Sequence, residues 1–294
     1  MAASSSSERG DFDELLGLSN SDDAPLTRRD ARARAASAGS GGSGRSQAAA
    51  KKAPATKRRP RITVVGVLGE LLMTFGVIML CFVGWKYWLN DIIVGRHQNE
   101  ASSQLSQQLA ENAGGQQVDA QGVPLGDVPV LDAQRFAILY VPEFGADYMR
   151  PIAQGTDYSA VLSDNIGHYP DSAMPGEPGN FAIAGHRLAY GAPMQRIHEL
   201  KLGDEIIVET SAGWYTYSYR SSEYLPPAAI DAVAPVPHHP EATPGESIIT
   251  LQSCNPYWST EERIMAYGTL EKFTPRADGP PESIKPTLEL YGVK

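Results

Sequence analysis

Of the two cysteines in this 294-residue chain, Cys81 and Cys254, only the second stands where a nucleophile would be useful. A β-type run, Ile248, Ile249, Thr250 and Leu251, carries the chain to Cys254. Arg263 follows nine residues later and opens a second apolar run, Ile264 to Leu270. Cys81 lies in a long apolar segment, so Cys254 has no evident disulfide partner in its own chain. The thiolate is the reactive form of cysteine, and a nearby cation favours it. A free cysteine is also a small hydrophobe that packs well, so a buried structural thiol is the competing reading.

Six histidines are present, and His186 differs from the others. It ends the strand-like run that starts at Asn180, Phe181 and Ala182 and closes on Gly185. A strand end is rigid and can hold an imidazole close to a reacting atom, which a loose loop cannot. His238 and His239 adjoin one another among prolines, with no Cys, Asp or Glu at ligand spacing, so no metal site is expected. Cys254, His186 and Arg263 together suit acyl transfer. The thiolate attacks a carbonyl, and the imidazolium protonates the departing amine. The guanidinium binds the developing oxyanion or holds the substrate backbone.

Strands must position such groups, and the sequence offers them. Runs at Phe136 to Val141, Phe181 to Ala184, Ile206 to Glu209 and Trp214 to Tyr219 read as strands. The segments 205–210 and 214–220, separated by Ser211, Ala212 and Gly213, read as a β-hairpin. Tyr215, Tyr217 and Tyr219 share one face of its second arm. Residues 194–200 allow one or two helical turns. Short strands with proline-rich connections argue for an all-β barrel or sandwich over residues 134–275. No repeat, phosphate-binding glycine loop or nucleotide fingerprint occurs.

The rest of the chain divides by composition. Residues 1–61 are rich in Ser, Ala, Gly and Arg and are expected to form a disordered tail. The apolar segment 62–84 is long enough to span a bilayer, whose hydrocarbon core is about 30 Å thick. Basic residues Lys51 to Arg61 precede it and Trp85 and Trp88 follow. That order predicts a signal anchor with the tail in the cytoplasm and the domain outside. Glu70 is a carboxylate within that span. Residues 85–133 are expected to form an extracellular stalk, in which Leu105 and Leu109 make only a thin apolar stripe, and 276–294 a C-terminal tail. The formal charge of −9 is uneven. Residues 1–61 hold 12 Lys/Arg and 7 Asp/Glu, and residues 85–294 hold 13 and 26. An acidic folded part argues against nucleic acid as a partner.

The order Thr250-Leu251-Gln252-Ser253-Cys254, with His186 sixty-eight residues earlier and Arg263 nine residues later, resembles the sortases, membrane-anchored cysteine transpeptidases of Gram-positive cell surfaces. The Gly185-His186-Arg187 triplet, the Cys-x-Pro sequence and the segment 69–72 make it look most like class E of actinobacteria. Ser253 replaces the usual Thr, and Asn255 stands where class E commonly has His. The resemblance implies a closed eight-stranded β-barrel with short helices. It also implies Cys254 as nucleophile, His186 as general acid and base, and Arg263 as oxyanion or substrate clamp. The implied partners are secreted proteins with a C-terminal LPxTG or LAxTG-like sorting signal, cut between Thr and Gly. The acyl group then passes to an amine of a lipid-linked peptidoglycan precursor or of a pilin. No cofactor is expected, and calcium dependence is unassigned. The alternatives are a pilin-polymerising sortase like class C and a non-catalytic anchored β-domain.

Overall fold

Alternation of Tyr215, Tyr217 and Tyr219 with Trp214, Thr216 and Ser218 dictates an extended strand with two unlike faces. That strand is central in the computed structural model, which describes residues 63–112 and 131–293. The tail 1–61 and the linker residues 113–130 lie outside the described residues. Eight strands follow in chain order: β1 (Arg135–Tyr140), β2 (Arg150–Gln154), β3 (Ile166–His168), β4 (Gly179–Ala184), β5 (Glu205–Glu209), β6 (Gly213–Leu225), β7 (Ser247–Asn255) and β8 (Glu262–Pro275). They close into a barrel in the order β1-β2-β3-β4-β7-β8-β6-β5. Pairs β2–β3 and β4–β7 are parallel and the other six antiparallel. This is the closed eight-stranded barrel that the resemblance implies, and it decides between the barrel and the sandwich that the strand pattern left open.

Inside, Tyr215, Tyr217 and Tyr219 meet Phe181, Ile183, Ile249 and Leu251 in one buried cluster. The β5–β6 hairpin turns where expected, because Gly213 takes φ +153°. A Cβ there would come within 2.2 Å of the Thr274 carbonyl oxygen, so only glycine fits. Strands β2 and β3 were not expected. β2 contains Pro151 and β3 has three residues, too few for a period to show.

Helix α1 (Val64–Gly84) is long and apolar enough to cross a membrane, and none of it is buried. Its 21 residues rise about 31 Å at 1.5 Å per residue. A π-helical turn, Trp85–Leu89, continues it directly into helix α2 (Asn90–Glu111). Residues 85–111 of the expected stalk are therefore helical, and α2 lies against the barrel. Leu105 and Leu109 pack with Ile138, Tyr140, Ile207 and Trp214 on the outer side of the sheet. Burying each leucine contributes about 1.5–3 kcal/mol. Around them the helix buries Gln98, Asn99, Ser102 and Ser106. A short helix α3 (Lys285–Leu290) in the C-terminal segment adds Leu288 to the same cluster, together with Ile284 just before it.

Candidate active site

Strand β7 lies between β4 and β8, and this order brings the three expected site residues together. Parallel pairing sets each residue of β4 opposite the residue sixty-eight positions later on β7, from Gly179–Ser247 to Ala184–Gln252. The register continues past the end of β4. Gly185 N–H donates to the Gln252 carbonyl at 3.0 Å, and the Ser253 hydroxyl donates to the Gly185 carbonyl at 2.8 Å. The next pair in this register is His186 and Cys254. On the other flank the antiparallel β7–β8 ladder sets Arg263 directly opposite Cys254.

All three fall on the outer face. Ile249 and Leu251 on β7, Phe181 and Ile183 on β4, and Ile264 and Ala266 on β8 fill the interior. Strand alternation then sends Cys254 and Arg263 outward, and the same alternation carried two residues past β4 does so for His186. The outer face here is partly roofed by the connection from β6 to β7. Thr250 donates to Asn180 Oδ1 at 2.6 Å, and Asn180 Nδ2 donates to the Ala234 carbonyl of that connection at 3.1 Å. His238 fastens the connection further. Its ring nitrogens meet Glu223 Oε1 at 2.5 Å and Asp231 Oδ2 at 3.1 Å, and these carboxylates raise its pKa. A cavity of about 60 Å³ remains between Tyr169, Gln252, Arg263 and Met265 on the barrel side and Pro227 and Ile230 on the roof.

Cys254 is a free, half-buried thiol. His186 is half-buried, and its ring sits 4.8 Å from that of Tyr190 and 5.3 Å from that of Tyr158. The two tyrosines are joined by a hydroxyl hydrogen bond of 3.0 Å. Burial lowers the imidazole pKa from its ordinary 6.5, which favours the neutral ring. His186 Nε2 has no hydrogen-bond partner among the described residues. Arg263 Nη1 donates to the carbonyls of Thr260 and Glu262 at 3.0 and 2.9 Å; burial raises the Tyr169 pKa, and the Arg263 charge offsets part of that rise.

Sequence reading missed several members of the site. Arg187 is buried, donates to Asn255 Oδ1 at 2.5 Å and to the Cys254 carbonyl at 3.4 Å, and lies over the Tyr257 ring. Asn255 in turn donates to Glu262 at 2.7 Å, so it ties Arg187 to β8 beside the thiol. The position of Arg187 directly after His186 was the one available signal. Tyr158 and Tyr190 had none.

Comparison with known proteins agrees with this architecture. Residues 139–271, which hold all three candidate site residues, match the Sortase domain family. Sortase SrtE1 of Streptomyces coelicolor is 32% identical over 78% of this chain, and the match spans 64% of the length of that protein. Sortase SrtE2 of the same organism is 29% identical over 78% of this chain and 92% of its own. The solved SrtA sortase from Actinomyces oris is 34% identical, with a TM-score of 0.53, over 58% of this chain and 97% of that one. The chain belongs to the sortase family. Its SrtE relatives accord with the class E likeness seen in the sequence. In this sortase the barrel wall, rather than the interior, carries the three candidate residues.

Proposed function

We propose that this sortase is a membrane-anchored cysteine transpeptidase, with Cys254 as nucleophile, His186 as general acid and base, and Arg263 as oxyanion or substrate clamp. One observation carries the reading. Arg263 on β8 stands opposite Cys254 on β7, and the β4–β7 register, carried past the end of β4 by the Gly185 and Ser253 hydrogen bonds, brings His186 to the level of Cys254. Paired strands, with two hydrogen bonds at Gly185 fixing the step beyond β4, keep such a spacing tightly, as a positioned acid–base pair requires.

The lowered imidazole pKa sets the order of proton transfers. The neutral ring of His186 accepts the thiol proton as sulfur attacks the Thr carbonyl of a sorting signal. The oxyanion forms beside the guanidinium of Arg263. The resulting imidazolium gives its proton to the nitrogen of the departing Gly residue, the C–N bond breaks, and a thioester to Cys254 remains. An incoming amine reverses the sequence. It loses a proton to His186, attacks the thioester and releases the thiol as the new amide forms. The small cavity beside Arg263 suits one short side chain of an extended peptide. Helix α1 would anchor the enzyme with its barrel outside the cell, where secreted proteins and wall-precursor or pilin amines meet.

Peptides of the LPxTG and LAxTG kinds, offered with an amine acceptor, test the reading by mass spectrometry. The expected product joins Thr to the acceptor with loss of the Gly segment. Cleavage elsewhere in the peptide, or the same product from Cys254→Ala, would refute it.

A further inference from the structure

The loop that follows His186 has an unusual backbone. Ala189, Tyr190, Gly191 and Ala192 take φ values of 65°, 53°, 76° and 42°, four left-handed residues in a row, three of which are not glycine. Such conformations are disfavoured for L-residues and persist only where surroundings impose them. Here the surroundings include the first half of α2. Asp91 Oδ2 accepts from Ala189 N–H at 3.1 Å, and Gln98 Nε2 donates to the Tyr190 carbonyl at 2.9 Å. Helix and loop also meet closely through two glycines. A Cβ on Gly191 would come within 2.7 Å of Gln98 Oε1 and 3.1 Å of the Gly95 nitrogen. The loop returns its grip to the site. The Tyr190 ring lies 4.8 Å from the His186 imidazole, and Met194 N–H donates to the His186 carbonyl at 2.9 Å.

We propose that Asp91 and Gln98 of the juxtamembrane helix are positioning residues for His186, acting through the left-handed loop 189–192 and the Tyr190 ring. The inference rests on the acid–base role given to His186 above. Burial raises the pKa of the Asp91 carboxyl, and hydrogen bonds from the Ala189 and Gly191 backbone act in the opposite direction. Only the π-helical turn separates this clamp from the membrane-type helix α1. The anchor is thereby mechanically continuous with the element that orients the imidazole. The loss expected on releasing the loop is large, because displacing a catalytic group by about 1 Å costs as much as 10²-fold in rate.

The test uses the full chain in detergent micelles, with Asp91→Ala, Gln98→Ala, their double variant and Asp91→Asn. Turnover of a sorting-signal peptide is normalised to titrated active thiol, and hydrogen exchange is followed across 187–194. The double variant is expected to lose about 10- to 100-fold in kcat with KM within about twofold, and to exchange faster at 188–193. Asp91→Asn keeps an acceptor oxygen for Ala189 N–H and is expected to stay within about threefold of wild type. Wild-type kcat per active thiol in the double variant overturns the proposal. So does a loss of activity that merely tracks a loss of folded protein, or an Asn variant as poor as Ala. A wild-type chain that acylates no peptide would count against the role of His186. The exchange comparison would still decide whether α2 holds the loop.

Discussion

The Ser253 hydroxyl, one residue ahead of Cys254 on β7, donates at 2.8 Å to the carbonyl of Gly185, one residue ahead of His186 just past β4. It is buried, and it bridges the strands just where the β4 ladder ends. The bond therefore extends the parallel register one step further, to the level of the thiol and the imidazole.

Ser253→Ala is expected to leave the Gly185 carbonyl buried and unpaired, at a cost of about 1–3 kcal/mol in unfolding free energy. Acylation per folded molecule should fall as well, because His186 loses its tether to β7. Ser253→Thr keeps the hydroxyl and should retain both. Denaturant unfolding with single-turnover acylation checks this. An alanine variant with wild-type stability and rate would show that the bond positions nothing.

Arg263→Lys keeps the charge but loses the planar fork that grips an oxygen from two nitrogens. If Arg263 clamps the oxyanion or substrate backbone, kcat should fall about 10²- to 10³-fold. Steady-state kinetics on the folded variant measures it. Turnover near wild type would reduce Arg263 to a surface charge.

The pH dependence follows from His186. The neutral ring accepts the thiol proton, so activity is present above the imidazole pKa and is lost as pH falls through it. Burial lowers that pKa from 6.5. The acidic limb of kcat/KM should therefore lie below pH 6.5. A limb at or above 7 would mean that the imidazole is not held in the buried environment seen here.

Much of the barrel was legible because its strands alternate. Ile249 and Leu251, or Tyr215 and Tyr217, announce their inward faces, and the sixty-eight-residue spacing of His186 and Cys254 is the β4–β7 register itself. The role of α2 was hidden by its polar composition. Gln98, Asn99, Ser102 and Ser106 look solvated, yet Asn99 donates to the Asp147 carbonyl and Ser106 to Glu209. Those partners lie far away in sequence, so no local pattern reports them. The left-handed run at Ala189, Tyr190 and Ala192 was equally silent, since tertiary contacts rather than residue type hold it.

Glu209 makes the α2 contact testable as stability. Its fully buried carboxylate accepts from Tyr140 at 2.5 Å, Ser106 at 2.6 Å and Arg276 at 2.7 Å. Glu209→Ala strands the guanidinium of Arg276, so unfolding free energy should drop by about 3–5 kcal/mol. A loss below about 1 kcal/mol in denaturant unfolding, the scale of an exposed ion pair, would show that the network is not the internal tie described.

The most direct measurement is the intact mass of the enzyme after brief mixing with a sorting-signal peptide and acid quench. The account predicts one adduct equal to the peptide up to its Thr, attached at Cys254 and released by hydroxylamine. It should be absent from Cys254→Ala and strongly slowed in His186→Ala, where a positioned acid–base group is worth about 10²- to 10⁴-fold. Peptide cleavage by the wild type with no such thioester, or with undiminished turnover in Cys254→Ala, would contradict the account.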